Sequence, residues 1–564
     1  MRNRILLVFI AAIAACFTAA AEVVIDVTAP APGADATTML QAAIDKAATY
    51  RGKPTTIRLA TATYNISREQ ATARKFHVSN TTTVDENPDP TKHIGLHMRH
   101  IRNLTFDGNG ARIVTHGEMT SFLLDSCENV VMQHFTLDAA DPSLAEAKVV
   151  EVGDDYAIMQ CARDTRYEIT PEGRLFWIGV GWRFTGGIAQ TFDPADNSSL
   201  RTASPMDNLL KAAELRPGLL WLHYDYRPAL RVGTTLQMRH SFRTEVCGCI
   251  SRSRNVALRD VELNFLGNFG VVAQFSENVT YDHLRCAPAL GSDRTGAGFA
   301  DFVQMSGCRG KVSITNSYFE GAHDDPINVH GTHLKVKEWR GARQAVVRFM
   351  HGQTFGFTPF AAGDAVELVS AHSLLCLQAM SVKRSEQLND YEWLLTFDKE
   401  VSAAARAEDN VAVENVTWTP EVEIRNNYFA RIPTRGILVS TRRRVVIEDN
   451  TFYRMPMAAI LISDDARSWY ESGPAHDVTI RRNKFVECSS PVLLLWPEND
   501  RYDGPVHRNI SVTHNTFSFS DKAHPVVVRA RAIDRLTVKD NSYDTAVASE
   551  QLFDLRDCTN CTIE

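Results

Sequence analysis

One short pattern recurs along most of this chain and limits its fold more than any other feature. Two apolar residues flank one intervening residue; Asn follows five residues after the first apolar one, and an aromatic residue follows two further on. Clear copies start at Val422, Val445, Val478, Ile510 and Leu536. Weaker copies start at Leu104, Val130, Val256, Val279 and Val312. Internal repetition at this scale is typical of solenoid proteins.

The spacing of the copies, about 23 to 33 residues, selects the type of solenoid. A coil of three short strands and their turns needs a little over twenty residues, and longer steps fit coils that carry a loop. Stacked coils place equivalent residues about 4.8 Å apart, so the repeated Asn side chains can form a ladder. Leucine-rich repeats have a similar period, but their leucine framework is absent. The sequence predicts an all-β, right-handed parallel β-helix.

Two stretches lack the pattern, at about 141–243 and 333–418. Both read as short strands, and each is long enough for an inserted β-barrel-like domain. Apolar residues at helical spacing in 36–47 predict a helix that caps the solenoid. The predicted organisation is therefore a cap and first coils in 22–140, an insertion in 141–243, coils with the functional site in 244–332, a second insertion in 333–418, and further coils in 419–564.

The first residues resemble an export signal. Met1–Arg4 is a charged start, Ile5–Ala15 is a short apolar run, and Ala19–Ala21 offers a cleavage site, which gives a signal peptide over 1–21. Ile13–Cys16 also resembles a lipobox, which would place a lipid on Cys16. We expect an exported protein, periplasmic or extracellular, with a lipid anchor to the outer membrane as the open alternative.

Charge and cysteine content exclude some classes of partner. The net charge of −7 and the lack of a basic stripe argue against a nucleic-acid partner. The cysteine pairs Cys247–Cys249 and Cys558–Cys561 have no second pair nearby to complete a zinc site. Buried unpaired cysteines, or one or two disulfides, are expected instead. The sequence leaves the oligomeric state, including a homodimer, undetermined.

An irregular acidic stretch, Gly321–Gly331, interrupts the repeat. Asp324 and Asp325 lie between His323 and His330, at the same offset within a coil as Asn268 and Arg435 in other coils. We therefore expect Asn268, the two aspartates and Arg435 to line one outer edge of the stack. A calcium site or a solvated turn is the alternative interpretation.

A third carboxylate strengthens the catalytic interpretation. Alignment of Gln304 with Gln274 places Asp301 at the start of a strand, one coil from Asp324 and Asp325, within roughly 5–9 Å. Carboxylates this close separate their pKa values, as acid and base catalysis requires. A pair of carboxyl groups flanking the scissile bond is the machinery of glycoside hydrolysis, and no serine or cysteine nucleophile motif is present.

These motifs resemble glycoside hydrolase family 110, the bacterial exo-acting α-1,3-galactosidases. The resemblance covers nearly the whole chain and is most specific in Glu320–Gly331, Thr434–Leu438 and Ala300–Ser306. It implies a parallel β-helix with inserted β-barrel domains and inversion of configuration without a metal cofactor. By motif, Asp324 is similar to the general acid, and Asp301 and Asp325 to the pair that holds the hydrolytic water.

The resemblance also implies the substrates: terminal α-1,3-linked galactose of glycoproteins, glycolipids or polysaccharides, as in the blood group B determinant. Branched and linear acceptors are both open. Sugar binding requires an aromatic platform and polar groups. The candidates are Arg435, Asn328, His330, Trp339, Trp496 and Glu498. His323 is expected either to tune Asp324 or to serve the turn.

Three alternatives remain at this point. A family 28 pectin hydrolase shares the fold and an Asp pair, but it would need an Arg-Ile-Lys segment where this chain has Arg435-Gly436-Ile437. A β-helix polysaccharide lyase would need a basic catalytic residue and usually calcium. A non-catalytic glycan-binding solenoid would need none of these carboxylates.

Overall fold

The computed structural model describes residues 22–564 apart from 82, 84–86 and 521–524. The predicted signal peptide and the lipobox at Ile13–Cys16 lie outside the described residues. Three sheets of mainly parallel strands wind through successive coils, and their inward-facing side chains share one continuous apolar core. The predicted parallel β-helix with two inserted β-barrel domains is confirmed.

The strands of the three sheets follow one another in each coil. The first sheet contains Val23–Val27, Thr55–Leu59, Arg102–His116, Glu128–Ala139, Arg254–Leu263, Glu277–Cys286, Arg309–Thr315, Glu421–Arg425, Arg444–Glu448, Asp477–Arg481, His507–Thr513, Ile533–Lys539 and Thr562–Ile563. The second sheet contains the last residues of the four longest of these strands, together with Thr63–Ser67, Tyr318–Glu320, Tyr428–Ala430, Thr451–Tyr453, Lys484–Val486, Thr516–Ser518 and Ser542–Asp544. The third sheet contains Thr72–Lys75, Thr91–Arg99, Thr120–Asp125, Gly248–Ser251, Val271–Gln274, Val303–Ser306, Ile327–Arg340, Ile437–Val439, Ile460–Ile462, Leu493–Leu495, Val528–Arg531 and Phe553–Arg556.

The repeat pattern and the strand register agree. All ten predicted starting residues occupy one column of the first sheet. The Asn residues form the expected ladder; the amide of Asn450, for example, donates to Asn483 Oδ1 at 3.0 Å and to the carbonyl of Ile424 at 3.0 Å. The aromatic residues stack beside it, with the ring centroids of Phe452 and Phe485 5.0 Å apart. These two buried columns fix the register of the coils.

Both insertions leave this register intact. Val130 pairs directly with Val256 across the first insertion, and Val312 pairs with Val422 across the second. The helix Thr37–Thr49 lies at the start of the solenoid and buries Leu40 and Ile44 against the core, as the predicted cap requires.

The first inserted domain contains two antiparallel sheets around its own core, which includes Trp177 and Tyr224. Seven strands form the larger sheet: Ala145–Val152, Tyr156–Cys161, Ile188–Asp193, Ser198–Thr202, Lys211–Arg216, Leu219–His223 and Thr235–Arg239. Three strands form the smaller one: Tyr167–Ile169, Leu175–Gly179 and Trp182–Phe184.

The second inserted domain is a closed six-stranded antiparallel barrel. One long strand, Ile327–Arg340, pairs in parallel with the β-helix through its first residues and in antiparallel fashion with the barrel through its last. The other strands are Gln344–Arg348, Ala365–Ser370, Cys376–Gln387, Glu392–Phe397 and Val411–Asn415, with a short helix at Ala403–Ala407. Because that strand also carries Asn328 and His330, the barrel is continuous with the predicted site.

The remaining elements and the cysteines complete the description. A two-residue strand, Glu471–Ser472, pairs with Gly331–Thr332, and a 3-10 helix spans Ser549–Leu552. All ten cysteines of the described ranges are unpaired, and seven of them are buried. No helix within those ranges is long and apolar enough to cross a membrane.

Candidate functional site

The candidate site lies where the chain passes from the second sheet into the third. Asp301 lies two residues before Val303, and Asp325 lies two residues before Ile327. Val303 and Ile327 are paired on adjacent strands. Arg435 lies two residues before Ile437, which pairs with Ile327 on the other side. The three side chains therefore occupy one column on consecutive coils, about 4.8 Å apart per step.

The predicted alignment of Gln304 with Gln274 is wrong by two residues. The structure pairs Gln304 with Val272, and Gln274 with Ser306. Asp301 accordingly lies before its strand, opposite Phe269, rather than at the first position of the strand. It is still one coil from Asp325.

All three aspartates line a single cavity, which holds about 440 Å³ of empty space including its open mouth. Its wall is formed by Asn80, Arg243, Asp301, Asp324, Asp325, Asn328, Arg435, Leu438, Trp469 and Glu471. The cavity is lined mainly by polar and charged groups, which can fix the orientation of a polar ligand.

Asp325 is held by three donors of one residue. The backbone N–H and Nε of Arg435 donate to Oδ1, both at 3.1 Å, and an Nη lies 2.9 Å from Oδ2. Burial raises the pKa of Asp325 above its ordinary value, and Arg435 opposes that rise. The bidentate contact favours the ionised carboxylate and fixes its orientation.

Asp301 has a different environment, although it occupies the equivalent position. Burial, reinforced by the carboxylates of Asp324 and Asp325, raises the pKa of Asp301 well above its usual range, and Arg243 opposes the rise only in part. Burial and the neighbouring carboxylates therefore favour the protonated form of Asp301.

Asp324 is the most exposed of the three carboxylates, with 24% of its side chain accessible. Guanidinium groups of Arg201 and Arg243 lie 3.6 and 3.8 Å from its Oδ2. Arg201 belongs to a strand of the first inserted domain, and Arg243 follows the last strand of that domain. The inserted domain thus supplies the cations on one side of the cavity.

His323 lies behind Asp324 and is fully buried. Its Nδ1 accepts a hydrogen bond from Arg239 Nε at 3.1 Å and faces Arg201 Nη1 at 3.0 Å; Arg201 also donates to its carbonyl. Burial and the two guanidinium groups hold the pKa of His323 well below its usual range. The imidazole is therefore neutral, and as an acceptor it orients Arg201 toward Asp324.

The floor of the cavity is the outer face of the third sheet. Gln304, Asn328 and Leu438 are register partners there. Asn328 is buried, and its Oδ1 has no donor among the residues that the structure describes. His330 lies farther along the same strand, 2.8 Å from Gln304 Nε2 and 3.5 Å from Glu471 Oε1, so it supports the wall of the cavity without lining it.

Four predicted site residues lie elsewhere. Asn268 adopts a left-handed conformation and turns its side chain to the backbone N–H of Thr244, at 2.9 Å, so it supports a turn. Trp339 packs against the core of the second inserted domain with Arg406 over its ring. Trp496 and Glu498 lie on later coils, where Arg531 and Arg556 contact the Trp496 ring.

The sequence interpretation missed Arg201, Arg243, Asn80, Trp469 and Glu471. They come from the inserted domain, the hairpin loop before residue 91 and a loop after the strand Ile460–Ile462. None of these segments carries the repeat pattern, so no offset within a coil marks them. Among the described residues, no group of three or more His, Cys, Asp or Glu side chains could hold a metal ion.

Comparison with known proteins gives a consistent result. Residues 145–236 and 344–411 match families described as GLAA-B beta-barrel domain I and GLAA-B beta-barrel domain II. A Bacteroides thetaiotaomicron protein named alpha-1,3-galactosidase A is 46% identical over 526 residues, covering 93% of this chain and 92% of that protein. A Bacteroides fragilis protein of the same name is 36% identical over 543 residues, covering 93% and 88%. Among solved structures, a Yersinia enterocolitica family 28 exopolygalacturonase aligns over 96% of this chain and 78% of its own, with 11% identity and a TM-score of 0.41.

Proposed function

The chain belongs to the α-1,3-galactosidase family, and we propose that it is an exo-acting member that removes terminal α-1,3-linked galactose with inversion of configuration. The main observation that supports this proposal is that Asp301, Asp324 and Asp325 line one cavity, although Asp301 comes from a different coil. The glycoside hydrolase family 110 assignment rests on the same aspartates and on the motifs that surround them. The pectin-hydrolase and non-catalytic alternatives are not favoured, because relatives matching nearly the whole chain are named galactosidases.

In the proposed reaction, the galactosyl ring occupies the cavity with its C1 near the three carboxyl groups. Asp324 donates a proton to the glycosidic oxygen as the C1–O bond breaks. Asp301 and Asp325 hold a water molecule on the opposite face; its oxygen bonds to C1 and its proton passes to one of them. Inversion requires carboxyl groups separated widely enough to admit that water, roughly 6.5–9.5 Å.

A second assignment exchanges the roles of two aspartates and is favoured by one observation. Guanidinium groups of Arg201 and Arg243 lie 3.6 and 3.8 Å from Asp324, whereas the pKa of Asp301 is raised by burial and by its neighbours. In the free enzyme the shared proton would then lie on Asp301. Because the three carboxyl groups share one cavity, the assignment must be tested with substrates whose need for acid catalysis differs.

The decisive experiment is proton NMR of the sugar at the moment of release. An inverting enzyme acting on an α-galactoside yields β-galactose first, and the α-anomer then appears by mutarotation. We expect this with both the branched B-antigen trisaccharide and a linear α-1,3-galactobiose, which separates the two substrate classes. Release of α-galactose first would overturn inversion, and absence of galactose release from every α-1,3-galactoside would overturn the proposed activity.

We also propose that the protein is exported, as its first 21 residues suggest. Fractionation of cells that produce the full chain, with and without Cys16→Ala, tests this. Recovery of the wild type in the membrane fraction and of the variant in the soluble periplasm would support a lipid anchor. Recovery of both in the cytoplasm would contradict export. Sedimentation of the purified protein would decide between a monomer and the homodimer that the sequence left open.

A further inference from the structure

One wall of the cavity carries an exposed aromatic side chain that the reaction described above does not use. Trp469 is 46% accessible and lines the cavity, in contrast to the other large apolar side chain there, Leu438, which is buried. An exposed indole at the mouth of a polar cavity is a common platform for the C–H face of a sugar ring.

One face of the Trp469 ring is covered by a histidine. His351 of the second inserted domain stacks on the indole, with ring centroids 4.2 Å apart and the planes at 27°. His351 follows the barrel strand Gln344–Arg348 and is itself only partly exposed. The face of Trp469 that His351 does not cover is thus available to a ligand.

The loop that carries Trp469 is fixed by a single carboxylate. Asp465 accepts backbone N–H groups from four successive residues, 467–470, including those of Arg467 at 2.8 Å and Tyr470 at 3.2 Å. The loop then joins the strand Glu471–Ser472, which pairs with Thr332 and Gly331. Because so many donors converge on Asp465, the loop has little freedom to move away from the cavity.

The carboxylates and Trp469 line the same cavity. Asp325 precedes the floor strand, whereas Glu471, two residues after Trp469, pairs with Thr332 farther along that strand, beyond Asn328. The carboxylates and the indole therefore belong to different parts of the cavity wall.

We propose that Trp469 is a specificity-determining residue that stacks on the apolar face of the galactosyl ring, and that His351 and Asp465 are positioning residues for it. This inference rests on the proposed function. In galactose the axial 4-hydroxyl lies on one face of the ring and leaves C–H groups at C3, C4 and C5 on the other, which an indole can cover. The second inserted domain would then contribute to recognition through His351, in addition to Asn328 of the strand that it shares with the β-helix.

The test uses Trp469→Ala, Trp469→Phe and His351→Ala in the full chain. We expect Trp469→Ala to raise KM by roughly 10-fold or more with a smaller change in kcat, and Trp469→Phe to restore most of the loss. His351→Ala should raise KM by a few-fold and increase the acrylamide quenching of Trp469 fluorescence, measured as the difference from Trp469→Phe. Binding of free D-galactose should protect that fluorescence in the wild type and less so in His351→Ala.

Two control variants separate recognition from folding. Trp496→Phe removes a tryptophan outside the cavity, and His372→Ala removes a histidine of the same barrel that contacts Asp500 instead. Both should leave KM and galactose protection unchanged. Asp465→Asn should resemble His351→Ala in quenching.

The inference and the proposed function fail in distinguishable ways. An unchanged KM and unchanged galactose protection in Trp469→Ala, with wild-type hydrolysis intact, would overturn the platform while leaving the galactosidase assignment in place. If the wild type does not hydrolyse α-1,3-galactosides but free galactose still protects Trp469, the galactosidase assignment would be overturned and the Trp469 platform would stand. Wild-type quenching in His351→Ala would remove His351 from the positioning role.

Discussion

Asp301 and Asp325 occupy the same position on adjacent coils, each two residues before a paired strand residue, yet only Asp325 has an arginine on the next coil in the same column. The coil repeat makes their backbone positions equivalent, and the neighbour in the column makes their electrostatics different. Asp325 is oriented by Arg435, whereas Asp301 faces Phe269 on one side and Asp325 on the other. A repeat fold can thus place two like groups together and still separate their roles.

The roles of the aspartates predict how variants respond to the leaving group. If Asp324 is the acid, Asp324→Asn should lower kcat on α-1,3-galactosides by roughly 10²–10⁴-fold. The same variant should retain far more activity on α-galactosyl fluoride, because fluoride leaves without a proton. Asp301→Asn and Asp325→Asn should lose activity on both substrates, since each holds the attacking water.

If the roles of Asp301 and Asp324 are exchanged, the two variants should exchange their responses to the fluoride substrate. If Asp301→Asn rather than Asp324→Asn is rescued by the fluoride substrate, Asp301 is the acid. Initial rates on the two substrates, with circular dichroism to verify folding, decide between them. An Asp324→Asn variant with nearly full activity on the disaccharide would remove Asp324 from catalysis altogether.

The raised pKa of Asp301 predicts that this residue, although needed for activity, lowers the stability of the folded protein at neutral pH. Its pKa is raised by burial and by neighbouring carboxylates, so the folded state binds a proton that the unfolded state releases above the usual Asp pKa of about 3.9. The contribution of Asp301 to stability is therefore complete below that pH and is lost as pH rises through the folded-state pKa. Asp301→Asn should raise Tm by a few degrees at pH 7.

The pH dependence distinguishes this effect from ordinary repacking. The difference in Tm between Asp301→Asn and the wild type should shrink toward zero as pH falls below the usual Asp pKa of about 3.9, where the wild-type carboxyl becomes protonated in both states. Asp260→Asn, at an exposed position of the strand Arg254–Leu263, serves as the control and should show no such trend. A lower Tm for Asp301→Asn at pH 7 would contradict the electrostatic account.

The contact between Arg435 and Asp325 predicts that replacing Arg435 shifts the pH–rate profile. Replacement by Met removes the charge that opposes the rise in the pKa of Asp325, so that pKa should rise further. Because Asp325 must be ionised to bind the attacking water, the acidic limb of kcat/KM should move to higher pH by about 1 to 3 units. Arg435→Lys keeps the charge but not the bidentate geometry, so it should shift the limb less while still lowering kcat. An unmoved acidic limb in Arg435→Met would separate Asp325 from the base.

The first sheet could be predicted in register because its inward columns repeat the same residue types. Val312 and Val422 pair across the whole second insertion, and the Asn and aromatic columns repeat beside them. A shift by one residue would turn these apolar side chains outward, so the pattern in the sequence and the register in the structure are the same constraint.

The third sheet could not be aligned in this way, and the error at Gln304 shows why. Gln274 and Gln304 are the same residue type but make different contacts: Gln274 bonds the backbone at Ser79 and His77, whereas Gln304 bonds His330. The outer face of this sheet is covered by loops and an inserted domain, so its side chains follow local partners rather than the repeat. Identity of residue type was therefore a misleading guide to register there.

The same reason explains which site residues could not be predicted. Asp324, Asp325 and Arg435 occupy the coil itself and were accessible to counting along it. Arg201 contacts Asp324, and Trp469 lines the cavity, only because a domain and a loop fold back over the sheet. Long-range placement of this kind leaves no periodic signal.

The Asn ladder predicts a stability effect remote from the cavity. Asn483 is buried; its amide donates to the Ile447 carbonyl at 2.9 Å and to Asn515 at 3.0 Å, and its Oδ1 accepts the N–H of Asn450 at 3.0 Å. Asn483→Ala removes these bonds and leaves the buried backbone N–H of Asn450 without its acceptor, at a cost of roughly 1–3 kcal/mol for each unpaired group that water cannot reach. Asn515 Oδ1 keeps the backbone N–H of residue 483. The urea midpoint should fall, while kcat of the folded enzyme stays at the wild-type value because the ladder does not touch the cavity.

Lys484→Ala is the matched control, since its exposed side chain follows Asn483 directly in the same turn. It should leave both the midpoint and kcat unchanged. Asn483→Asp is a sharper variant, because its carboxylate keeps an acceptor for Asn450 but loses the donor to Ile447 and Asn515. It should therefore destabilise more at pH 7 than at pH 4, where protonation restores one donor. Equal urea midpoints for Asn483→Ala and Lys484→Ala would show that the ladder is not a stabilising element of the coil.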